Sequence, residues 1–193
     1  MLVGILLVAL LVACYSCIDI GNNKNGSKGI AVHFCDKNVY LGVANLSDDS
    51  YKSLNVNGRL TANNIKVKKG ARVMGEATIV DSKFADLNIM GRASLTNLTV
   101  TDKLKIMGKA DLNDGTYGEI VLHGQKFKLA NIVADSITLK DVDSDSKKAK
   151  QQYLNLTNCK ISGDVICKAS NCDLIMDQNT KIAGKIIGFN GFK

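Results

Sequence analysis

From Leu54 to Leu139 the chain places apolar residues on alternate positions in short runs, and the runs recur. Leu54, Val56 and Leu60 surround Gly58, and Val73, Ala77 and Ile79 surround Gly75. Leu87, Ile89, Ala93 and Leu95 surround Gly91; Leu104, Ile106, Ala110 and Leu112 surround Gly108. Strict period-two alternation predicts strands with one buried face. A helix is excluded, because residues two apart fall on opposite sides of it. The nonapeptides LNIMGRASL and LKIMGKADL are near copies, and the glycine at the centre of each belongs to a regular series. Gly58, Gly75, Gly91, Gly108 and Gly124 follow one another at intervals that alternate between seventeen and sixteen positions. One further step reaches Asp141. A second alternating pair follows two of the glycines by seven and nine positions, as Ile65/Val67 and Leu98/Val100.

A unit of roughly 16 or 17 residues cannot bury its own apolar face, so it must stack on copies of itself. The pattern therefore predicts an all-β, single-domain β-solenoid (β-helix), one turn per period, with aliphatic columns down a narrow interior. Gly58, Gly75, Gly91, Gly108 and Gly124 share the parity of the inward residues, where a missing side chain allows a sharp bend or a close backbone approach. The chain contains no proline, against an average usage of about 5%. Inner rungs pair on both sides, so proline's missing N–H is disfavoured almost everywhere along a coil. The solenoid is expected over residues 51–193, with a polar loop, DVDSDSKKAKQQ, projecting at 141–152. CKISGDVIC resumes the alternation with Cys159, Ile161, Gly163, Val165 and Cys167 inward. The interval from Gly163 to Gly184 is wider than those before it, which predicts final rungs that are longer or carry a bulge. Residues 14–50 show no repeat and are expected to form a linker and an N-terminal cap.

The segment before Cys14 stands apart. Leu2 to Ala13 is an apolar run broken only by Gly4. It is shorter than the roughly 20 residues of a membrane-spanning helix and has the length of a secretory h-region, so residues 1–13 read as a signal peptide. The run ends in Leu11-Val12-Ala13-Cys14, which resembles the lipobox of bacterial lipoproteins, although no Lys or Arg precedes the h-region. The resemblance implies lipidation of Cys14 and anchorage to one leaflet. With Tyr15 next and no aspartate there, it implies outer-membrane delivery.

Formal charge is +7, carried mostly by lysine, with only Arg59, Arg72 and Arg92 as arginines. Export and the scarcity of arginine forks argue against a nucleic acid partner. The lysines read first as a solvated outer face, and weak attraction to anionic headgroups or glycans is the sharper alternative. Five cysteines follow Cys14, an odd number in an oxidising compartment. Cys17 with Cys35 and Cys159 with Cys172 are the candidate disulfides, and Cys167 is expected as a buried small residue. With only His33 and His123 to assist, no cysteine–histidine metal set is recognisable.

VMGEATIVDSKFADLNIMGRASL and ISGDVICKASNCDLIMDQNTKIAGKIIG resemble the bactofilins, bacterial cytoskeletal proteins with a polymer-forming β-helical core. The resemblance spans roughly residues 54 to 188. It implies the fold and self-assembly; the export signal and the absence of proline-bearing tails depart from that family. Chemistry is sparse. Asp141, Asp143 and Asp145 echo the first half of a calcium loop but lack its glycine at position 6 and its glutamate at 12, leaving a weak calcium candidate. Asp86, Asp102 and Asp135 are not expected to form a clean set of stacked catalytic carboxylates. No cofactor is implied. The sequence reads as an exported, lipid-anchored binding scaffold of the bacterial cell envelope. A self-assembling polymer is the second reading and a glycan-active enzyme the third.

Overall fold

The computed structural model describes residues 17–22, 28–34, 37–141 and 151–192. Among them there is no helix, and they wind into a parallel β-solenoid of about 9 turns. The lipobox with Cys14, together with Cys35, Asp143 and Asp145, lies outside the described residues.

The chain enters as an antiparallel hairpin, β1 (Cys17–Asn22) with β2 (Lys28–Phe34). β2 pairs antiparallel with β3 (Lys37–Ser47), and β3 is already coil. It runs parallel to β5 (Leu54–Asn63), with Asn38 opposite Leu54 through to Ser47 opposite Asn63. β4 (Ser50–Tyr51) likewise lies under β6 (Lys66–Val80). The solenoid thus starts near residue 38 rather than 51, and the cap is the hairpin alone. The extra turn obeys the same pattern: Gly42 stands directly opposite Gly58, and Tyr40, Ala44 and Leu46 point inward. Two substitutions disguise it, because Tyr40 replaces an aliphatic and Asp49 stands where later turns have Ile65 or Leu98.

β7 (Lys83–His123) continues through several corners without a break in pairing, followed by β8 (Lys126–Lys140). After the projecting loop come β9 (Gln152–Thr157), β10 (Lys160–Ile161), β11 (Val165–Cys167), β12 (Cys172–Met176), β13 (Lys181–Ile182), β14 (Ile186–Ile187) and β15 (Gly191–Phe192). Ile161 pairs with Ile182 and Val165 with Ile186, so the last turn is the longer one that the glycine spacing predicts. Asp141 and Gln152 are the roots of the loop. The Gln152 side-chain amide donates to the Lys140 carbonyl (3.1 Å) and its backbone N–H to the Asn171 carbonyl (3.0 Å).

The core is a set of columns. Leu60, Ala77 and Ala93 stack in one, and Ala110, Phe127, Leu154 and Leu174 continue it. Where one column takes a large residue, its neighbour shrinks. Phe84 is accompanied by Ser82, and Tyr117 by Gly115, at the positions that hold Ile65 with Val67 and Leu98 with Val100 in the other turns. Constant volume per turn keeps the interior close-packed. Buried Ser82 is satisfied, accepting from the Ile65 N–H (3.1 Å) and donating to the Val80 carbonyl (2.6 Å).

Two ladders set the corners. At Gly58, Gly75, Gly91 and Gly108 the backbone takes φ between 135° and 140°, a region closed to residues with a Cβ. A Cβ on each would also fall on the carbonyl oxygen of the glycine one turn earlier. Gly124 meets Gly108 in the same way without the unusual φ. Six positions after Gly42, Gly58, Gly75, Gly91 and Gly108 come Asp48, Asn64, Asp81, Asn97 and Asp114 in turn, then Asn131 and Asn158 further on, all with φ between 50° and 55°. Asn and Asp are the side chains that tolerate this left-handed conformation at least cost. Their alternation keeps carboxylates from stacking, and the amides donate instead: Asn64 to Asp48 at 2.8 Å and Asn97 to Asp81 at 2.6 Å.

Gly91→Ala should therefore lower stability by about 3 kcal/mol or more, from backbone strain and overpacking together. Gly70→Ala, with an ordinary φ and nothing nearer than the Asp86 Cβ at 3.5 Å, should change it by less than about 1 kcal/mol. Urea titration of both variants checks the contrast.

Candidate functional site

The outward residues that follow the glycine corners form a charged stripe. Arg59, Glu76 and Arg92 follow one another in register, each immediately after its glycine. Glu76 bridges both neighbours, at 3.1 Å from the Arg59 Nε and 4.0 Å from an Arg92 Nη. Beyond Arg92 the position after the glycine holds Lys109 and then Gln125, with exposed Lys126 next to it and no acid between. All of these groups are solvated, so the pairs contribute little to stability.

A groove opens beside this column, lined by Arg92, Ser94, Lys109, Asp111, Lys126 and Lys128 over the Ala93 and Ala110 backbone. Its far wall is a local irregularity. Gly124 stacks on Gly108, but Phe127 pairs with Ala110, so the step between turns lengthens by one position from the first pair to the second. One extra residue is accommodated between Gly124 and Phe127, and the strand swells outward there, carrying Lys126 into solvent. The sequence held this signal as a break of parity, with Leu122 and Gly124 on even positions and Phe127 and Leu129 on odd ones.

The acids considered for catalysis share one corner of the coil, with Gly118 rather than an acid on the turn between Asp102 and Asp135. Asp86 stands near Lys103, whose Nζ is 2.7 Å from Glu119 and whose pKa is held up by that hydrogen bond. Asp102 meets Gly118 on the next turn through its backbone, and Asp135 accepts from the Ser162 hydroxyl at 3.3 Å. Among the described residues no three His, Cys, Asp or Glu side chains converge as a metal site. Asp141 accepts from the Ser170 hydroxyl at 3.4 Å, and its carbonyl lies 3.1 Å from the His123 Nδ1. Asp177, which sequence reasoning passed over, is the best-held carboxylate. Its Oδ1 accepts from the Thr180 hydroxyl (2.6 Å) and from the N–H groups of Thr180 and Asn158 (both 3.0 Å), and the hydroxyl above all keeps its pKa below the usual carboxylate range.

The cysteines pair differently from expectation. Cys172 is bonded to Cys167, not to Cys159. The reason is the corner: Cys167 ends β11 and Cys172 begins β12, so the bridge closes the short turn between them. In the preceding turn the same corner, between Leu139 and Gln152, releases the polar loop. Cys159 instead occupies the buried column of Ile132 as a free thiol, its Sγ 3.3 Å from the carbonyls of Leu129 and Thr157. Burial pushes its pKa up. Cys17 lies in β1, and its expected partner Cys35 is outside the described residues.

The two ends of the coil differ. The first turn is covered by the β1–β2 hairpin. The last presents Ile187 at 45% and Phe192 at 61% exposure, with Ile182, Ile186 and Phe189 half-buried beneath and the two phenylalanine rings 6.5 Å apart. Comparison with protein-family models, curated proteins and solved structures finds no match to the chain.

Because alkylation needs the thiolate, whose formation burial of Cys159 disfavours, iodoacetamide should leave Cys159 unmodified in the folded protein at neutral pH and label it in urea, read by peptide mass spectrometry. Cys172→Ser should lower stability by about 2 kcal/mol, the loop entropy of a short bridge, measured by denaturant titration without reductant.

Proposed function

We propose that the protein is an exported, lipid-anchored scaffold of the bacterial cell envelope, a rigid rod that binds through its outer face and its free end. The difference between the two coil ends carries this reading. The covered end adjoins the lipobox-like run, with only Tyr15 and Ser16 between Cys14 and β1. Lipid on Cys14 would hold the hairpin against the leaflet and direct the open end away from it. About 9 turns at about 4.8 Å each make a rod of about 40 Å. Ladder hydrogen bonding from turn to turn and a continuous apolar interior supply the stiffness. The surface carries charge and no convergent catalytic set among the described residues, which suits binding. In the cell, wild-type protein should incorporate labelled palmitate and sediment with membranes, whereas Cys14→Ser should do neither. Equal behaviour of the two would overturn the anchor.

Self-assembly is the second reading, favoured by the uncovered apolar last turn. An unpaired solenoid edge offers its N–H and C=O groups to another strand, and Ile187 with Phe192 would supply apolar area. The bactofilin resemblance points the same way. On this reading, light scattering should find dimers or longer rods for the wild type and monomers for Ile187→Asp/Phe192→Asp. A wild type that stays monomeric at every concentration would remove the reading.

A further inference from the structure

The groove between Arg92 and Lys128 has a shape and a charge that select among partners. Four cations line it against one acid, Asp111. Asp111 stands opposite Lys128 in the ladder and offsets it in part. Lys109 and Lys126 form no ion pair with another described residue. Glu76 ends the cationic run on one side, since it engages both Arg59 and Arg92. What remains is a line of positive charge, one group per turn at about 4.8 Å, running along the coil axis inside a trough. Such a line matches a chain with repeating anionic groups better than a single small anion, which would engage one or two of the side chains.

We infer that this groove binds a linear anionic polysaccharide, one bearing carboxylate or phosphate groups along its length, laid parallel to the coil axis. Arg92, Lys109 and Lys126 would meet successive anionic groups, Ser94 would hydrogen-bond sugar hydroxyls, and Lys128 would hold the edge. Charge complementarity on a solvated surface makes the contact salt-sensitive and repeated along the chain. The inference rests on the anchored-rod reading, which turns the side of the coil toward polymers beside the membrane and away from the bilayer plane. A planar membrane is the less fitting occupant, because the cations lie in a column within a concavity and not over the breadth of the face.

The test measures binding of the full chain to fluorescent polygalacturonate oligomers, with neutral dextran as the comparison polymer. Lys109→Glu/Lys126→Glu is compared with Lys66→Glu/Lys83→Glu, which makes the same charge change at exposed, mutually paired positions elsewhere on the coil. Polygalacturonate should bind, dextran should not, and raising salt should weaken the complex. The groove variant should bind roughly tenfold more weakly and the control within about twofold of wild type. Equal losses in both variants would show diffuse charge attraction and overturn the groove. So would absence of polygalacturonate binding. Vesicle flotation supplies the last arm: if mixed phosphatidylglycerol–phosphatidylcholine vesicles, and not the glycan, distinguish the groove variant from wild type, the occupant is the membrane and the inference fails. Palmitate labelling of the same preparations reports the anchor separately, so loss of the groove and loss of the anchored-rod reading remain distinguishable.

Discussion

Everything in this molecule depends on the requirement that each backbone segment hydrogen-bond to the equivalent segment one turn away. Parallel stacking at a fixed rise brings like positions into contact along the whole coil. A residue is therefore tolerated only if it suits both the one below and the one above. The glycine ladder is the sharpest expression. Gly91 approaches the Gly75 carbonyl so closely that a Cβ has no room, and Gly108 repeats the approach on Gly91. The Asp/Asn ladder is its electrostatic counterpart, since a column of carboxylates a few ångströms apart would repel itself. Alternating Asp with Asn turns that repulsion into side-chain hydrogen bonds.

Register shifts occur at several corners, as between Val67 and Gly70, but the largest departures from the repeat share one corner in the C-terminal half. The extra residue between Gly124 and Phe127 and the loop leaving at Asp141 follow each other at successive turns, and the Cys167–Cys172 bridge closes the same corner next. Lys126 pairs directly with Tyr153 at the foot of the loop. A corner tolerates insertion where a sheet face does not, because added residues there displace no inward column. The groove is thus a consequence of a local lengthening that leaves Phe127 and Leu129 in the core.

The same logic separates the two ends. Inside the coil each strand edge is satisfied by its neighbour, and at the start the antiparallel hairpin takes over that duty. In the last described turn Ile187 and Phe192 are exposed. A coil of stacked turns does not close on itself as a barrel does, so its ends must be covered or used.

The β-solenoid architecture, its turn length and its inward residues were legible from the sequence, because strict alternation and a repeated glycine spacing admit few other arrangements. The longer last turn was legible for the same reason. The first turn was not recognised, although Gly42 keeps the interval, because Tyr40 and Asp49 broke the aliphatic pattern used to find the others. The Asp/Asn corners were visible as letters, yet nothing local distinguishes a left-handed asparagine from one in a strand. Disulfide partnership depends on which corner brings two thiols together, so Cys167 rather than Cys159 meets Cys172. The groove likewise exists only because the stacking of turns brings lysines distant in sequence to one place. Local periodicity thus determined what the chain builds, while contacts between turns, distant in sequence, decided which surface chemistry it assembles.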